Sequence, residues 1–151
     1  MNDTIRTHPA SLEVVADYLA ALAEGDSEAM DACRAGDYVL DLVQGDAFEQ
    51  DALTHEETRA FWPSWFASFP EMDYQVIRSI VAEAVVVSQW VFTGTNSGPL
   101  TAPVFGQDMS ATGKTVRLRG ASVFDVEDGA IQRETLYMDL ATLFVELGVT
   151  L

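Results

Sequence analysis

Residues 112–148, TGKTVRLRGASVFDVEDGAIQRETLYMDLATLFVELG, read as two long strands joined at Asp128-Gly129 and followed by a short apolar helix. Asp-Gly between runs of alternating apolar residues is a strong hairpin signal, because both residues accept the positive φ of a tight turn. Pairing about that dipeptide sets Leu118 opposite Asp139, Gly120 opposite Tyr137, Ser122 opposite Thr135 and Phe124 opposite Arg133. That face mixes apolar and polar groups, as a ligand pocket does. The other face carries Arg117, Arg119, Ala121, Val123 and Asp125 against Gln132, Glu134, Leu136, Met138 and Leu140. It reads as an outer or subunit surface. A one-residue error at the turn would change the cross-strand partners but leave each strand's own alternation intact.

The chain before this hairpin supplies helices and two more strands. Leu12, Val15, Ala16, Leu19, Leu22 and Ala23 recur at helical spacing over 9–24, and Gly25 ends the run. A shorter helix is expected over 27–35, with Asp26 or Ser27 as cap and Gly36 as stop. DYVLDLV at 37–43 reads as a short strand, with Asp41 at either an edge or a pocket position. Thr54 and Glu57 form a capping-box pattern before a third helix, which Pro63 should kink or break and Pro70 should stop. Its aromatics, Phe61, Trp62, Trp65 and Phe66, point to a helix packed on a sheet. Residues 73–80 and 82–96 read as long strands that turn near Glu83-Ala84. On the second of them Ser88, Trp90, Phe92, Gly94 and Asn96 share one face. The Pro/Gly/Ser/Thr-rich stretch at 97–113 is long for a loop and suggests a lid or binding role. ATGKT at 111–115 is not a phosphate-binding loop, since the pattern needs glycine where Asp108 stands.

The totals narrow the function. A chain of 151 residues fits one domain over 1–151 with a real core. A formal charge of −16 disfavours nucleic acid and anionic membranes as partners. No apolar run spans a bilayer and the N-terminus lacks a secretory layout, so a cytoplasmic location is expected. The lone Cys33 allows no internal disulfide, and two histidines allow no Cys/His zinc set, so no metal is expected. Early helices followed by a strongly curved antiparallel sheet give an α+β cone enclosing a pocket.

Several stretches also resemble a known family. HEETRAFWPSWFASFPEMDYQV is similar to its helix ending in Phe-Pro before a strand. GTNSGPL and the later TGK resemble its strand-loop-strand connection. DGAIQRETLYMDLATLFVELGV resembles its ending, where an acid closes the last strand and Leu-Gly marks the terminal helix. The family is the SnoaL-like polyketide cyclase and ester cyclase group of the NTF2-like superfamily. The resemblance implies an NTF2-like cone, often a homodimer, with cofactor-free acid–base chemistry at a pocket aspartate that maps onto Asp139. Two positions depart from the pattern: Asn96 stands where histidine is common, and Thr135 where tryptophan is. The Arg-x-Asp of limonene-epoxide-hydrolase relatives is replaced by Arg117-x-Arg119.

The candidate chemistry follows from these residues. A carboxyl in an apolar pocket is held back from ionising and can serve as a base or acid near neutral pH. Asp139 is the candidate, although Asp at that position is also a good helix N-cap. Tyr137 would donate a hydrogen bond to a developing enolate or alkoxide oxygen, and Asp41 would be a second acid for epoxide opening. Asn96, Ser122 and Thr135 are candidate polar contacts to a hydrophobic substrate, with Trp65, Trp90 and Phe92 as apolar ones. Arg133 would bind a substrate carboxylate or pair with a nearby acid. The expected activity is cyclisation or isomerisation of an oxygenated, polyketide-like molecule. Epoxide opening and a non-catalytic binding or dimerisation module are the alternatives.

Overall fold

The structure, a computed structural model, describes residues 9–43, 51–101 and 108–148. Four helices and six strands follow in the order α1 Ala10–Glu24, α2 Ser27–Ala32, β1 Arg34–Val43, β2 Leu53–Thr54, α3 His55–Ser68, β3 Glu71–Ala82, β4 Val85–Thr95, β5 Thr115–Glu127, β6 Ala130–Met138 and α4 Leu140–Leu147. The architecture is α+β. One curved, unclosed sheet runs in the order β2-β1-β6-β5-β4-β3. All neighbouring strands are antiparallel except β1 and β6, which are parallel. The parallel pair brings the early strand β1 beside the last one.

The helices are set by local signals that the sequence displays. Gly25 adopts a left-handed conformation, φ 70°, and its N–H bonds back to Leu22, closing α1 as glycine does at C-terminal caps. At α3 the Thr54 hydroxyl accepts from the Glu57 N–H and the Glu57 carboxylate accepts from the Thr54 N–H. This completes the capping box. Pro63 sits inside α3 without dividing it. The expected second helix is shorter than its sequence suggests: it stops at Ala32, and Arg34 opens β1.

The Asp128-Gly129 turn forms as expected, with φ of 50° and 73°, and pairs Glu127 with Ala130 and Val126 with Ile131. A bulge then interrupts the ladder between Asp125 and Val126. Beyond it Asp125 faces Arg133, Phe124 faces Glu134, Ser122 faces Leu136 and Gly120 faces Met138. The shift is one residue, so every β6 side chain changes side relative to β5. Glu134 and Leu136, expected outside, are buried at 1% and 5% exposure, whereas Tyr137 is 49% exposed.

The core lies between the concave face of the sheet and α1 and α3. Val15, Tyr18, Leu19 and Leu22 of α1 pack there with Phe61, Trp62 and Trp65 of α3, over Trp90, Phe92, Leu118 and Phe124 of the sheet. Gly120 allows Trp90 to lie flat across β5. A Cβ at position 120 would stand 2.6 Å from the Tyr137 carbonyl oxygen and against the Trp90 ring. Asn96 is fully buried and ties the following loop down. Its amide donates to the carbonyls of Ser68 and Gly98, and its oxygen accepts from the N–H and hydroxyl of Thr112. At the far end Leu143 and Leu147 bury α4, and the Arg117 N–H donates to Glu146 Oε2 at 2.7 Å. Among the described residues no helix is long and apolar enough to cross a membrane.

Candidate active site

A cavity of about 450 Å³, including its mouth to solvent, opens between α1, α3 and the concave sheet. Half of its described lining residues are aromatic: Phe61, Trp62 and Trp65 from α3 face Tyr74 from β3 and Trp90 and Phe92 from β4. Ser122 from β5 and Glu134 from β6 add polar groups, beside Leu136 and Met138. Among the described lining residues Glu134 is the single carboxyl.

Glu134 is held from several elements at once. The Tyr18 phenol on α1 donates to its Oε1 at 2.8 Å, and the Tyr38 phenol on β1 approaches the same oxygen at 3.4 Å. Trp90 Nε1 donates to Ser122 Oγ at 3.2 Å, and the Ser122 hydroxyl also favours the ionised form of Glu134. Burial pushes the Glu134 carboxyl above the ordinary glutamate range. Tyr18, Ser122, Arg34 and Tyr38 pull against that rise without cancelling it. Burial, and then the charge of Glu134, raise Tyr18 and Tyr38 well above the ordinary phenol value. Tyr74 is raised in the same way. All three phenols therefore remain protonated donors at neutral pH.

Arg34 stands behind this group. Its guanidinium carbon lies 5.4 Å from the Tyr18 ring centroid and 5.1 Å from that of Tyr38. Its side chain is 1% exposed. Nη1 donates to Asp31 Oδ1 at 3.4 Å, while Nε and Nη2 are buried with no acceptor in hydrogen-bond geometry among the described residues. Asp31 gathers three basic groups, since His55 Nε2 lies 2.6 Å and Arg59 Nη2 3.2 Å from its oxygens. Burial works to raise Asp31, but hydrogen bonds from Arg59 and His55 outweigh it and leave the carboxyl below its ordinary value.

Four of the expected site residues line the cavity and five do not. Trp65, Trp90, Phe92 and Ser122 line the cavity. Asp139, Tyr137, Thr135, Asp41 and Asn96 do not. Asp139 is exposed at the N-cap of α4, where its carboxylate accepts from the Thr142 N–H at 3.0 Å and the Thr142 hydroxyl at 2.6 Å. Those bonds, the hydroxyl first, lower its pKa, the opposite of what a pocket base needs. Tyr137 and Thr135 fall on the outer face because of the β5–β6 bulge. Asp41 pairs with Arg133 at 2.5 Å, both groups partly exposed. Asn96 spends its amide on the backbone contacts already described.

Sequence reasoning missed Glu134, Tyr18, Tyr38, Arg34 and Tyr74. The signal available was an acid at 134 inside an otherwise β-rich run, and its side depended on a bulge with no marker residue. Of the 97–113 stretch expected to act as a lid or binding loop, residues 102–107 lie outside the described residues. No cluster of three or more metal-ligating side chains occurs among the described residues.

The fold has many relatives. A family model described as SnoaL-like domain matches residues 15–134. A candidate SnoaL-like polyketide cyclase from Jannaschia sp. CCS1 superposes with a TM-score of 0.78 at 17% identity, covering 100% of both chains. IdmH, a candidate polyketide cyclase from Streptomyces antibioticus, gives 0.71 at 24% identity, covering 92% of this chain and 99% of that one. An LEH-like epoxide hydrolase of M. tuberculosis gives 0.65 at 19% identity, covering 91% and 89%. No curated protein matches the sequence significantly.

Proposed function

The chain belongs to the SnoaL-like domain family, and from that premise we propose that its cavity performs cofactor-independent acid–base chemistry on a hydrophobic, oxygenated small molecule. The reaction class is ring closure or isomerisation of a polyketide-like substrate. One observation carries the reading: a carboxyl buried at 1% exposure, raised in pKa and facing an aromatic cavity. A carboxyl so placed has a proton affinity closer to neutral, where it can both take and return a proton.

Glu134 removes a proton from a carbon beside a substrate carbonyl. Charge moves to that carbonyl oxygen, and the Tyr74 phenol, stacked on Trp90 with centroids 5.6 Å apart, is the donor for the enolate. The carbon then closes on a second carbonyl of the same molecule, and the protonated Glu134 returns the proton to the resulting alkoxide. Trp62, Trp65 and Phe92 supply apolar surface that folds the substrate and excludes water. This reading moves the base from Asp139 to Glu134 and the phenol from Tyr137 to Tyr74.

Epoxide opening is the second reading, supported by the likeness to the epoxide hydrolase fold. It calls for one acid on the leaving oxygen and one base on the nucleophile. The described cavity holds one carboxyl, and Asp41 lies with Arg133 away from it, so ring closure is the stronger reading. A homodimer is part of the proposal. Ile80, Val87 and Val123 stand in one cross-strand row on the outer face, Ile80 being 50% exposed, which is suited to a second copy.

The test is to incubate the protein, with no added cofactor, with linear poly-β-carbonyl esters and with hydrophobic epoxides, following products by chiral chromatography and mass spectrometry. Ring closure or isomerisation without change of mass or redox state is the expected outcome. Diol formation alone would move the assignment to epoxide hydrolysis, and ligand binding without product would make the protein a carrier.

A further inference from the structure

Burying a guanidinium is costly unless its charge and its N–H groups are matched. Arg34 has little matching of the usual kind: a 3.4 Å contact with Asp31, an interaction with the Tyr18 hydroxyl, and two buried nitrogens with no acceptor in hydrogen-bond geometry among the described residues. What it does have is two phenol faces, those of Tyr18 and Tyr38. A cation is attracted to the negative face of an aromatic ring. The hydroxyls of these same two rings both point to Oε1 of Glu134. The arrangement is therefore a sandwich, with cation, two phenols and carboxyl in sequence from β1 and α1 to β6.

We infer that Arg34 is a positioning residue for Glu134: its guanidinium, set against the faces of Tyr18 and Tyr38, holds both phenols on the carboxyl and supplies the counter-charge that lets a carboxylate exist in an apolar cavity. Every element around Glu134 agrees with this charge balance. Tyr18 on α1, Tyr38 on β1, Tyr74 on β3 and Ser122 on β5 are neutral at neutral pH, and Arg34 is the cation among the groups that act on Glu134. Asp31 at the end of α2 touches Arg34 from the far side and is shared with His55 and Arg59. Without Arg34, an ionised Glu134 would be a lone buried charge. Without Glu134, Arg34 would keep its 3.4 Å contact with Asp31 and lose the carboxylate on its other side. The role rests on Glu134 as the working acid–base group, but it can be measured without a substrate.

The experiment follows the Glu134 carboxyl by NMR in protein labelled at glutamate Cδ, with the signal assigned by its loss in E134Q. In R34M the midpoint should rise by about one unit or more, the lower end of what a neighbouring guanidinium does to a carboxyl. That is about a tenfold gain in proton affinity. R34K should bring the midpoint part of the way back. An unchanged midpoint in folded R34M would overturn the inference. If R34M does not fold, R34M/E134Q decides: recovery of the folded near-ultraviolet signature supports the charge pairing, and no recovery overturns it. Because the titration is read without substrate, a negative result here leaves the turnover test of Glu134 standing, and an inactive cavity leaves this test standing.

Discussion

The Tyr18 phenol donates to Glu134 Oε1 at 2.8 Å, so a residue of the first helix holds the one carboxyl among the described residues of the cavity wall from 116 positions away in the chain. The bond has structural and chemical consequences. It pins α1 onto the sheet, and it offsets part of the cost of burying Glu134. Tyr18→Phe keeps the ring and removes the bond. It should cost about 1–3 kcal/mol, the range for stranding a buried polar partner, read by urea denaturation at neutral pH. Tyr38→Phe, whose bond is 3.4 Å, should cost less. The reverse order would contradict the geometry.

Gly120 fixes the position of Trp90. A Cβ there meets both the Trp90 ring and the Tyr137 carbonyl oxygen, the latter at 2.6 Å, so the indole must move and the β5–β6 backbone must shift. Gly120→Ala should cost about 1–3 kcal/mol, as overpacking does, and should alter tryptophan fluorescence. It should also weaken ligand binding, because Trp90 would be pushed from its place in the wall. Unchanged melting and fluorescence would show that the wall can adjust.

Stability should respond to pH in two opposite ways. Glu134 has a folded-state pKa above its unfolded value of about 4.3. Its contribution is therefore present below that unfolded value and is lost as pH rises through the raised one. Asp31 has a folded-state pKa below its unfolded value of about 3.9. Its contribution is present above that value and is lost as pH falls through the lowered one. Urea denaturation from about pH 3 to 8 should show E134Q losing less stability than the wild type as pH rises. D31N should lose less as pH falls. Parallel curves for all three proteins would contradict both assignments.

Asp139 acts as a cap in this geometry. Asp139→Ala removes the acceptor for the Thr142 N–H and hydroxyl and should lower the melting temperature by fraying α4. Asp139→Asn should do so much less, since asparagine caps nearly as well. Neither change should abolish turnover. Complete loss of turnover in folded Asp139→Asn would return catalysis to that residue.

Much of this fold could be read from residues whose signals are local. Gly25, the Thr54–Glu57 box and the Asp128-Gly129 turn each satisfy backbone groups within a few positions, so their readings survive folding. The site depended on two features that no single residue announces. A bulge between Asp125 and Val126 turned β6 over and exchanged Thr135, Tyr137 and their neighbours for Glu134 and Leu136. The end of α2 at Ala32 released Arg34 into β1, where it could meet Tyr38 and reach Glu134's surroundings. Trp65, Trp90, Phe92 and Ser122 were legible as pocket residues because alternation on β4 and β5, and helical spacing on α3, are unaffected by that bulge.

The most direct measurement is the turnover of Glu134→Gln on a substrate found by the ring-closure screen, with binding measured on the same protein. Glutamine keeps the shape and can still accept from Tyr18, so the cavity should stay intact. Turnover should fall by about a hundredfold or more, the usual range for loss of a general acid–base group, while substrate affinity stays close to that of the wild type. Turnover within a few-fold of the wild type would contradict the central claim that Glu134 moves the proton.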